Sequence, residues 1–572
     1  MNLPTPPADP LDPQALAGYQ AAFRDLEARM AQSGAPDHRH RILILVPVAD
    51  RPRQLADCLE SLYRLCDLYR YGGLRDGRFP KVACLIADDS ADPASRAAHR
   101  ALARAFDARG IDSEYYGPKE QLALLERLGI DASARFQSLL GDAPRTAFHH
   151  KGQGAMRNLI ALRLREILAD QRGPLLFWAL DSDQEFQVKV QSPTGDRDLY
   201  ALPYLHELDR LFRETDALIA TGKVVGDPPV SPAVMTAGFL DDLIAFLAEA
   251  SAADPTGPCP YHGGPLGEHD GARYHDMAGR FGFTPQAAYP YRCPLEGPHR
   301  RADAFRRLAG QLRAFFYGEH PTRKTYYDPA APRVAPARTI YTGNYAFRPA
   351  ALRFFLPFAG LRLRMSGPTL GRMLRAEIGG RFVAVNLPML HRRTQGDSGV
   401  SEFRPGIDER PGAIDLAGEF ERQFFGDVML FCVQRLAEQG FPQQEMDPRQ
   451  VEAALGPTLA DLLQDYNHRG EAIREKLGNL RALLEAPRAY WHSSTADAEA
   501  VAALRAFAAD IEHNFGPAAG GYARINDPAH QAARQAQLAA AILGYPADRA
   551  SWEGLLGQET HFSPQINANK HT

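Results

Sequence analysis

One stretch limits the possible folds more than any other. Leu175-Leu176-Phe177-Trp178-Ala179-Leu180 is an unbroken apolar run that ends in Asp181-Ser182-Asp183. Gly173-Pro174 mark its start, and its length suits a strand. A strand that is apolar on both faces belongs inside a parallel sheet covered on both sides. The two carboxylates then fall at the carboxyl end of the strand, the edge where open α/β sheets bind ligands. Asp181 and Asp183 are two residues apart, so in extended chain they point the same way. Such oxygen ligands suit Mg²⁺ or Mn²⁺, and a cation held there would bridge phosphates.

The chain before this stretch repeats the same grammar. Arg41–Val48 and Lys81–Ala87 are β-branched-rich runs, and Ser113–Tyr116 is a shorter one. Helical patterns separate them at about Asp12–Gln32, Leu55–Tyr69 and Pro93–Ala108, and from Lys151 to about Asp170. Asp50, before Pro52, is placed to cap the second of these helices, and one of Asp88 and Asp89 to cap the third. The β-α-β-α-β-α-β order predicts a doubly wound α/β sheet. Beyond Asp183 the pattern loosens. A strand is expected at Ala217–Val225 and another at Arg381–His391, with a Gly-, Pro- and His-rich insertion beginning near residue 253. From about 408 only helical periodicity remains, at 413–439, 448–465, 467–486, 495–512 and 527–544. The expected organisation is an N-terminal extension with a helix (1–39), an α/β domain (40–405, with an insertion at about 253–337) and a helical C-terminal region (406–572). Its amphipathic helices are open to partner binding, homo-oligomer formation or acceptor recognition.

Charge and cysteine content narrow the function classes. With 65 Lys and Arg against 69 Asp and Glu, general nucleic-acid binding has no support. No apolar run reaches the roughly 20 residues that span a bilayer. The first residues lack the basic and apolar blocks of a secretory signal, and six cysteines in 572 residues make no disulfide framework. A cytoplasmic, reduced protein is the expectation.

The motifs Val46-Pro47-Val48-Ala49-Asp50-Arg51-Pro52, Ala87-Asp88-Asp89-Ser90, Lys151-Gly152-Gln153-Gly154-Ala155-Met156-Arg157-Asn158, Asp181-Ser182-Asp183 and Gly343-Asn344-Tyr345-Ala346-Phe347-Arg348 occur in this order. Over residues 40–395 the set resembles family 2-like glycosyltransferases of the GT-A (nucleotide-diphospho-sugar transferase) fold. The resemblance implies that Pro47, Asp50 and Arg51 border the nucleotide and that Asp88 or Asp89 faces its base or ribose. It puts Lys151, Arg157 and Asn158 beside the sugar and diphosphate, and Gly343 and Asn344 on the acceptor side. It makes Asp181, Asp183 and His391 the metal site, Asp181 also reaching the ribose. The implied activity is metal-dependent transfer of a sugar from a nucleotide-diphosphate donor to a hydroxylated small molecule or glycan.

The physics suits that use. A nucleoside diphosphate leaves only if its growing charge is neutralised, by a metal at Asp181 and Asp183 and by fixed cations such as Lys151 and Arg157. Gly152 and Gly154 would let the backbone approach the ligand, and the helix that follows favours an anion. Inverting members of the family carry an acid just before a helix that here begins near Pro368, where this chain reads Met365-Ser366-Gly367-Pro368-Thr369. The general base is therefore unassigned. Asp227 and Glu377 are the remaining candidates, a retaining reaction would need neither, and a slight lean is to retention. The alternatives are a non-catalytic nucleotide-sugar-binding module, or a nucleotidyltransferase, although Val48-Ala49-Asp50-Arg51-Pro52 lacks the glycine-rich loop of the latter. In the insertion, Cys259 and His262 with Cys293 and His299 make two Cys/His pairs of the kind that hold tetrahedral zinc, although their spacing fits no common finger.

Overall fold

The computed structural model describes residues 3–557, apart from 131–133, 193–194, 263–273, 285–287, 341–342, 394–404, 411–412, 488 and 493–494. The four early apolar runs form β1 (Arg41–Val48), β2 (Val82–Asp88), β3 (Asp112–Tyr116) and β4 (Leu175–Ala179). After them come β5 (Gln184–Glu185), a β6 (Val188–Val190)–β7 (Arg197–Leu199) pair, β8 (Ile219–Gly226), β9 (Val334–Pro336), β10 (Tyr345–Phe347), β11 (Phe382–His391) and a β12 (Asp408–Arg410)–β13 (Ala413–Asp415) pair. The main sheet runs β3-β2-β1-β4-β10-β8-β11-β5, with β9 on β11. β3, β2, β1 and β4 are mutually parallel. β10 is antiparallel to both β4 and β8, and β11 is parallel to β8. The protein is α/β with a mixed sheet, and the early strands have the parallel pairing that their two-sided apolar character requires.

Strand alternation sorts the core into two layers. Ile42, Ile44 and Val46 of β1, with Leu176 and Trp178 of β4, face one side. There they meet α1 (Pro13–Gln32), α2 (Pro52–Tyr69), α3 (Pro93–Ala108) and α7 (Tyr204–Glu214) through residues such as Phe23, Leu59, Phe106 and Leu208. Leu43, Leu45, Leu175 and Phe177 face the other side. That layer starts with α4 (Pro118–Arg127), α5 (Ala134–Leu140), α6 (Gln153–Asp170), α8 (Thr236–Ser251), α9 (Arg301–Phe315) and α10 (Ser366–Ile378). It continues without a break into α11 (Ala417–Ala437), α12 (Pro448–Leu484), α13 (Ala498–Phe515), α14 (Gly520–Asn526) and α15 (Pro528–Leu556).

Three boundaries drawn from sequence change. The helix of the N-terminal extension belongs to the sheet's own layer. Phe23 is fully buried against Tyr69 and His206, and Glu27 accepts from Arg39 and bonds His206. The helical region after 406 shares one core with the α/β part, with α12 against α8, α13 against α9, and α11 against α10. Lastly, 448–465 and 467–486 are a single 37-residue helix. The expected boundary falls at Tyr466, but that residue is buried and donates to Asp427, and Gly470 sits where a Cβ would strike the Tyr522 ring. The apolar faces of these helices are spent on this internal core. The large exposed apolar side chains among the described residues are Leu74, Val334 and Leu543, which are scattered. No helix among the described residues is long and apolar enough to cross a membrane.

Candidate functional site

A cavity of about 1020 Å³ opens at the carboxyl ends of β1 and β4, where the parallel half of the sheet meets the helical layer. It is at the top of the range for ligand pockets. Pro47, Arg51, Asp89, Gly152, Gly154, Arg157, Asp181 and Asp183 line it from the sheet side, with Gly222 and Lys223 of β8. His391 and Arg393 close one flank, and α11 contributes Glu419, Arg422, Gln423 and Met429.

The aspartate pair and His391 meet across the end of the sheet. Asp181 Oδ2 accepts from the Gly343 amide at 2.9 Å, and Asp183 lies 3.2 Å from Arg51 and 3.6 Å from His391 Nε2. His391 Nδ1 is 2.7 Å from the Asp227 carbonyl, so Nδ1 carries a proton and Nε2 is the nitrogen that faces Asp183. A metal-ligating histidine is held in this way by its second nitrogen. Burial would raise the Asp183 carboxyl, but His391, Arg51 and Arg393 hold it well below the carboxylate range, so it stays charged. Burial and the charge of Asp183 push Asp181 the other way. Among the described residues, the group of three or more ligand atoms that all lie within 4.8 Å of one another is not this trio but the Cys/His cluster of the insertion. Two carboxylates and one imidazole fit a divalent ion that takes its remaining ligands from substrate phosphate and water.

Gly343 is required where it stands. A Cβ there would lie 2.3 Å from the Asp181 nitrogen and 2.5 Å from the Leu180 carbonyl carbon. Its neighbour Asn344 is buried and faces away from the cavity. Its Nδ2 donates to the carbonyls of Lys223 and Leu387, and its Oδ1 accepts from Trp178 Nε1. Asn344 therefore ties β4, β8 and β11 together and is no acceptor contact; Gly343 packs on Asp181.

Several other expectations change in the same way. Asp88 is fully buried on the α3 side, accepting from Tyr115 and the Ser90 amide and bonding His99, and does not line the cavity. Asp89, one residue on, points to the opposite side. It pairs with Lys151, which is wholly buried and also donates to the Phe148 carbonyl, so Lys151 is a strut rather than a free cation. Neither acid caps a helix; Asp92 caps α3. Asp50, with φ +53°, does not cap α2 but accepts from the Ala91 and Asp92 amides and bonds His150. Asn158 is buried and donates to Leu139, holding α5 against α6. Gly154 answers to Ala359, whose Cα a Cβ would meet at 2.8 Å. Asp227 is engaged by Lys324 and the Arg393 amide, and Glu377 by Arg549 of α15. Neither lines the cavity.

Arg157 does line it. One of its buried guanidinium nitrogens, Nη1, has no partner among the described residues, and the same holds for Arg393 Nε. Among the described residues, nine Lys or Arg side chains and four carboxylates face the cavity. Of those carboxylates, Asp89 is committed to Lys151, and Glu419 to Arg364 at 2.6 Å and Arg422 at 3.5 Å. Burial and the neighbouring Arg338 and Arg375 push Arg372 down to about 10. Burial and Arg364 likewise lower Arg393. Crowded guanidiniums of this kind are relieved by an anion. The sequence pointed to Arg157. Arg393 could have been found from its place two residues after His391, whereas Arg364, Glu419 and Arg422 carried no signal. No known protein-family profile matches the chain, and no curated protein matches it significantly.

Proposed function

We propose that the protein is a metal-dependent glycosyltransferase with a GT-A-type sheet, moving a sugar from a nucleotide-diphosphate donor to a hydroxylated acceptor. The observation that carries this is the convergence of Asp181, Asp183 and an oriented His391 at the carboxyl ends of the parallel strands, inside a basic cavity. Bound there, Mn²⁺ or Mg²⁺ supplies Lewis-acid neutralisation of the leaving diphosphate. Arg51 and Arg157 add fixed positive charge, and the start of α6 at Gln153 turns its N-terminal dipole toward a phosphate. Arg51 also holds Asp183 in place.

The far wall bears on the acceptor. Among the described residues, Arg364, Arg372 and Arg422 outnumber Glu419 there, which favours an acceptor bearing negative charge. Outside the metal pair, each lining carboxylate among the described residues is already held by a cation. That favours retention, which asks for no separate carboxylate base.

Calorimetry across a panel of nucleotide-sugars, with and without Mn²⁺, tests the reading. The expected result is binding of one donor class that requires Mn²⁺ and is lost in Asp181→Ala/Asp183→Ala. Metal-independent binding, or none to any donor, would sink it.

A further inference from the structure

We propose that Cys259, His262, Cys293 and His299 form a closed structural zinc site that staples the segment between α8 and α9. Their ligand atoms all lie within 4.8 Å of one another. His262 Nε2 is 3.1 Å from His299 Nε2, and Cys293 Sγ is 3.3 Å from the same nitrogen. Tetrahedral zinc with bonds of about 2.05 Å to nitrogen and about 2.3 Å to sulfur needs edges of about 3.3 Å (N···N) and about 3.6 Å (S···N). The observed separations are within about 0.3 Å of those edges.

The hydrogen bonds around the cluster assign the nitrogens. His299 Nδ1 lies 2.9 Å from the Gly297 carbonyl, so its proton is there and Nε2 carries a single lone pair. Both His262 and the Cys293 thiol converge on that one lone pair, which can accept only one proton donor. A cation at the centre, bound to two thiolates and two neutral imidazoles, satisfies all four groups at once. Four protein ligands leave no open position, which is the signature of a structural rather than a catalytic zinc.

The backbone presents the ligands as a built site. The Cys259 amide donates to the His299 carbonyl at 3.0 Å, the Cys293 amide donates to the Tyr261 carbonyl at 3.1 Å, and Pro258 bridges to Arg300. Tyr261 and Tyr291 pack on Phe246 of α8 with ring centroids 5.1 and 4.9 Å away, fixing the cluster to the helical layer. Between the two ligand pairs the chain supplies His275, Phe281 and Phe283 to the wall of the large cavity. The zinc would hold the base of that wall, at a site separate from Asp181 and Asp183.

The test is zinc content of the purified full-length chain, by plasma mass spectrometry, after expression with added zinc and purification with a reductant. About one zinc per chain is expected, retained in Asp181→Ala/Asp183→Ala and lost in Cys259→Ser/Cys293→Ser. Chelation should lower the thermal midpoint of the wild type, and added zinc should restore it. If the double variant does not fold, cobalt(II) added to chelator-treated wild type is read instead. A tetrahedral thiolate spectrum supports the site. Less than about one-tenth of a zinc per chain without zinc-dependent stabilisation, zinc kept by the folded double variant, no thiolate spectrum, or a Cys259–Cys293 disulfide in the reduced protein would each overturn it.

Discussion

The contact between Gly343 and Asp181 gives the sharpest test of how the site is built. In Gly343→Ala the new Cβ would lie 2.3 Å from the Asp181 nitrogen, about 1.2 Å inside the ~3.5 Å at which such atoms begin to attract. The two nearest atoms in its way are backbone and the third is the Asp181 Cγ at 2.9 Å, so no rotamer change alone relieves the overlap. Either the turn at 343 or the strand end at 180–181 must move by about 1 Å. Overpacking of this kind costs about 1–3 kcal/mol. If the turn moves instead, the Gly343 amide leaves Asp181, and a hydrogen bond to a charged acceptor contributes about 1.5–3 kcal/mol. A loss of about 2 kcal/mol in urea unfolding is expected, against little change or a small gain for Gly310→Ala in α9, where a Cβ meets nothing within 4 Å. Function should suffer more than stability. A displacement of about 1 Å at reacting groups costs on the order of 10²-fold, so Mn²⁺-dependent donor turnover should fall by about that factor in a protein that stays folded. Wild-type stability and wild-type donor turnover in Gly343→Ala would refute the claim that this glycine sets the position of Asp181.

Other expected outcomes are as direct. Lys151→Ala leaves Asp89 buried without its cation and should cost about 3–5 kcal/mol in chemical unfolding, while Asp89→Asn/Lys151→Met should recover most of that; an equal loss in both would refute the buried pair. Asn344→Ala unpairs Trp178 Nε1 and the carbonyls of Lys223 and Leu387 and should destabilise by several kcal/mol; a loss under about 1 kcal/mol would show that the three strands hold without it. Burial raises Asp427 to about 6, opposed by the hydrogen bonds from Tyr466 and Gln423 and by Arg469 and Arg364. Its contribution is therefore present below about pH 4 and is lost as pH rises through 6, about 3 kcal/mol in all, and the stability–pH curve of Asp427→Asn should lack that fall. Arg372→Ala should weaken binding of a negatively charged acceptor about tenfold or more while leaving the affinity for a neutral one unchanged, and an equal loss for both would refute the charged-acceptor reading. A chain ending at residue 405 should fail to fold, because it exposes the layer that α11 to α13 cover; a soluble, cooperative 1–405 fragment would contradict the shared core.

The two-layer sheet was legible because its signals are local. An apolar run bounded by turns is a strand wherever it lies, and β1, β2 and β4 pair as their two-sided character demands. The same period of two could have separated Asp88 from Asp89. Cys84 and Ile86 face the α2–α3 layer, so Asp88 faces it too, and Asp89 turns toward α6 and the cavity. Glycines were legible as necessary but not as to why: Gly154 and Gly343 are forced by Ala359 and by Asp181 rather than by a ligand's approach. Buried polar residues misled in a consistent direction. Lys151, Asn158 and Asn344 sit in motifs that resemble a ligand shell, yet each spends its donors on backbone carbonyls or on one buried carboxylate. What no local signal could supply is the far wall, where Arg362, Arg364 and Arg422 come from segments about 60 residues apart that meet only when α11 packs against α10.

That wall explains why the helical region belongs to the site's chemistry as well as to its core. Arg364 is set by the left-handed turn at Met365, φ +60°, which starts α10, and by Glu419 and Gln423 of α11. Arg422 reaches back to the carbonyls of Arg362 and Pro405. Each of these bonds fixes a guanidinium that would otherwise snorkel to solvent. Glu419, the single carboxylate of this wall among the described residues, has both oxygens turned to arginine and is 3% exposed, so it orients the arginines instead of competing with an incoming anion. Asp181 and Asp183 on the opposite side carry the complementary sign. A molecule that is phosphorylated at one end and negatively charged at the other would find matched charge across the full width of the cavity. A neutral acceptor would leave that clustered positive charge without a counter-anion. Under the proposed function, that choice of acceptor would rest on Arg364 before α10 and Arg422 of α11, which no local motif marks but which pack over the end of the sheet.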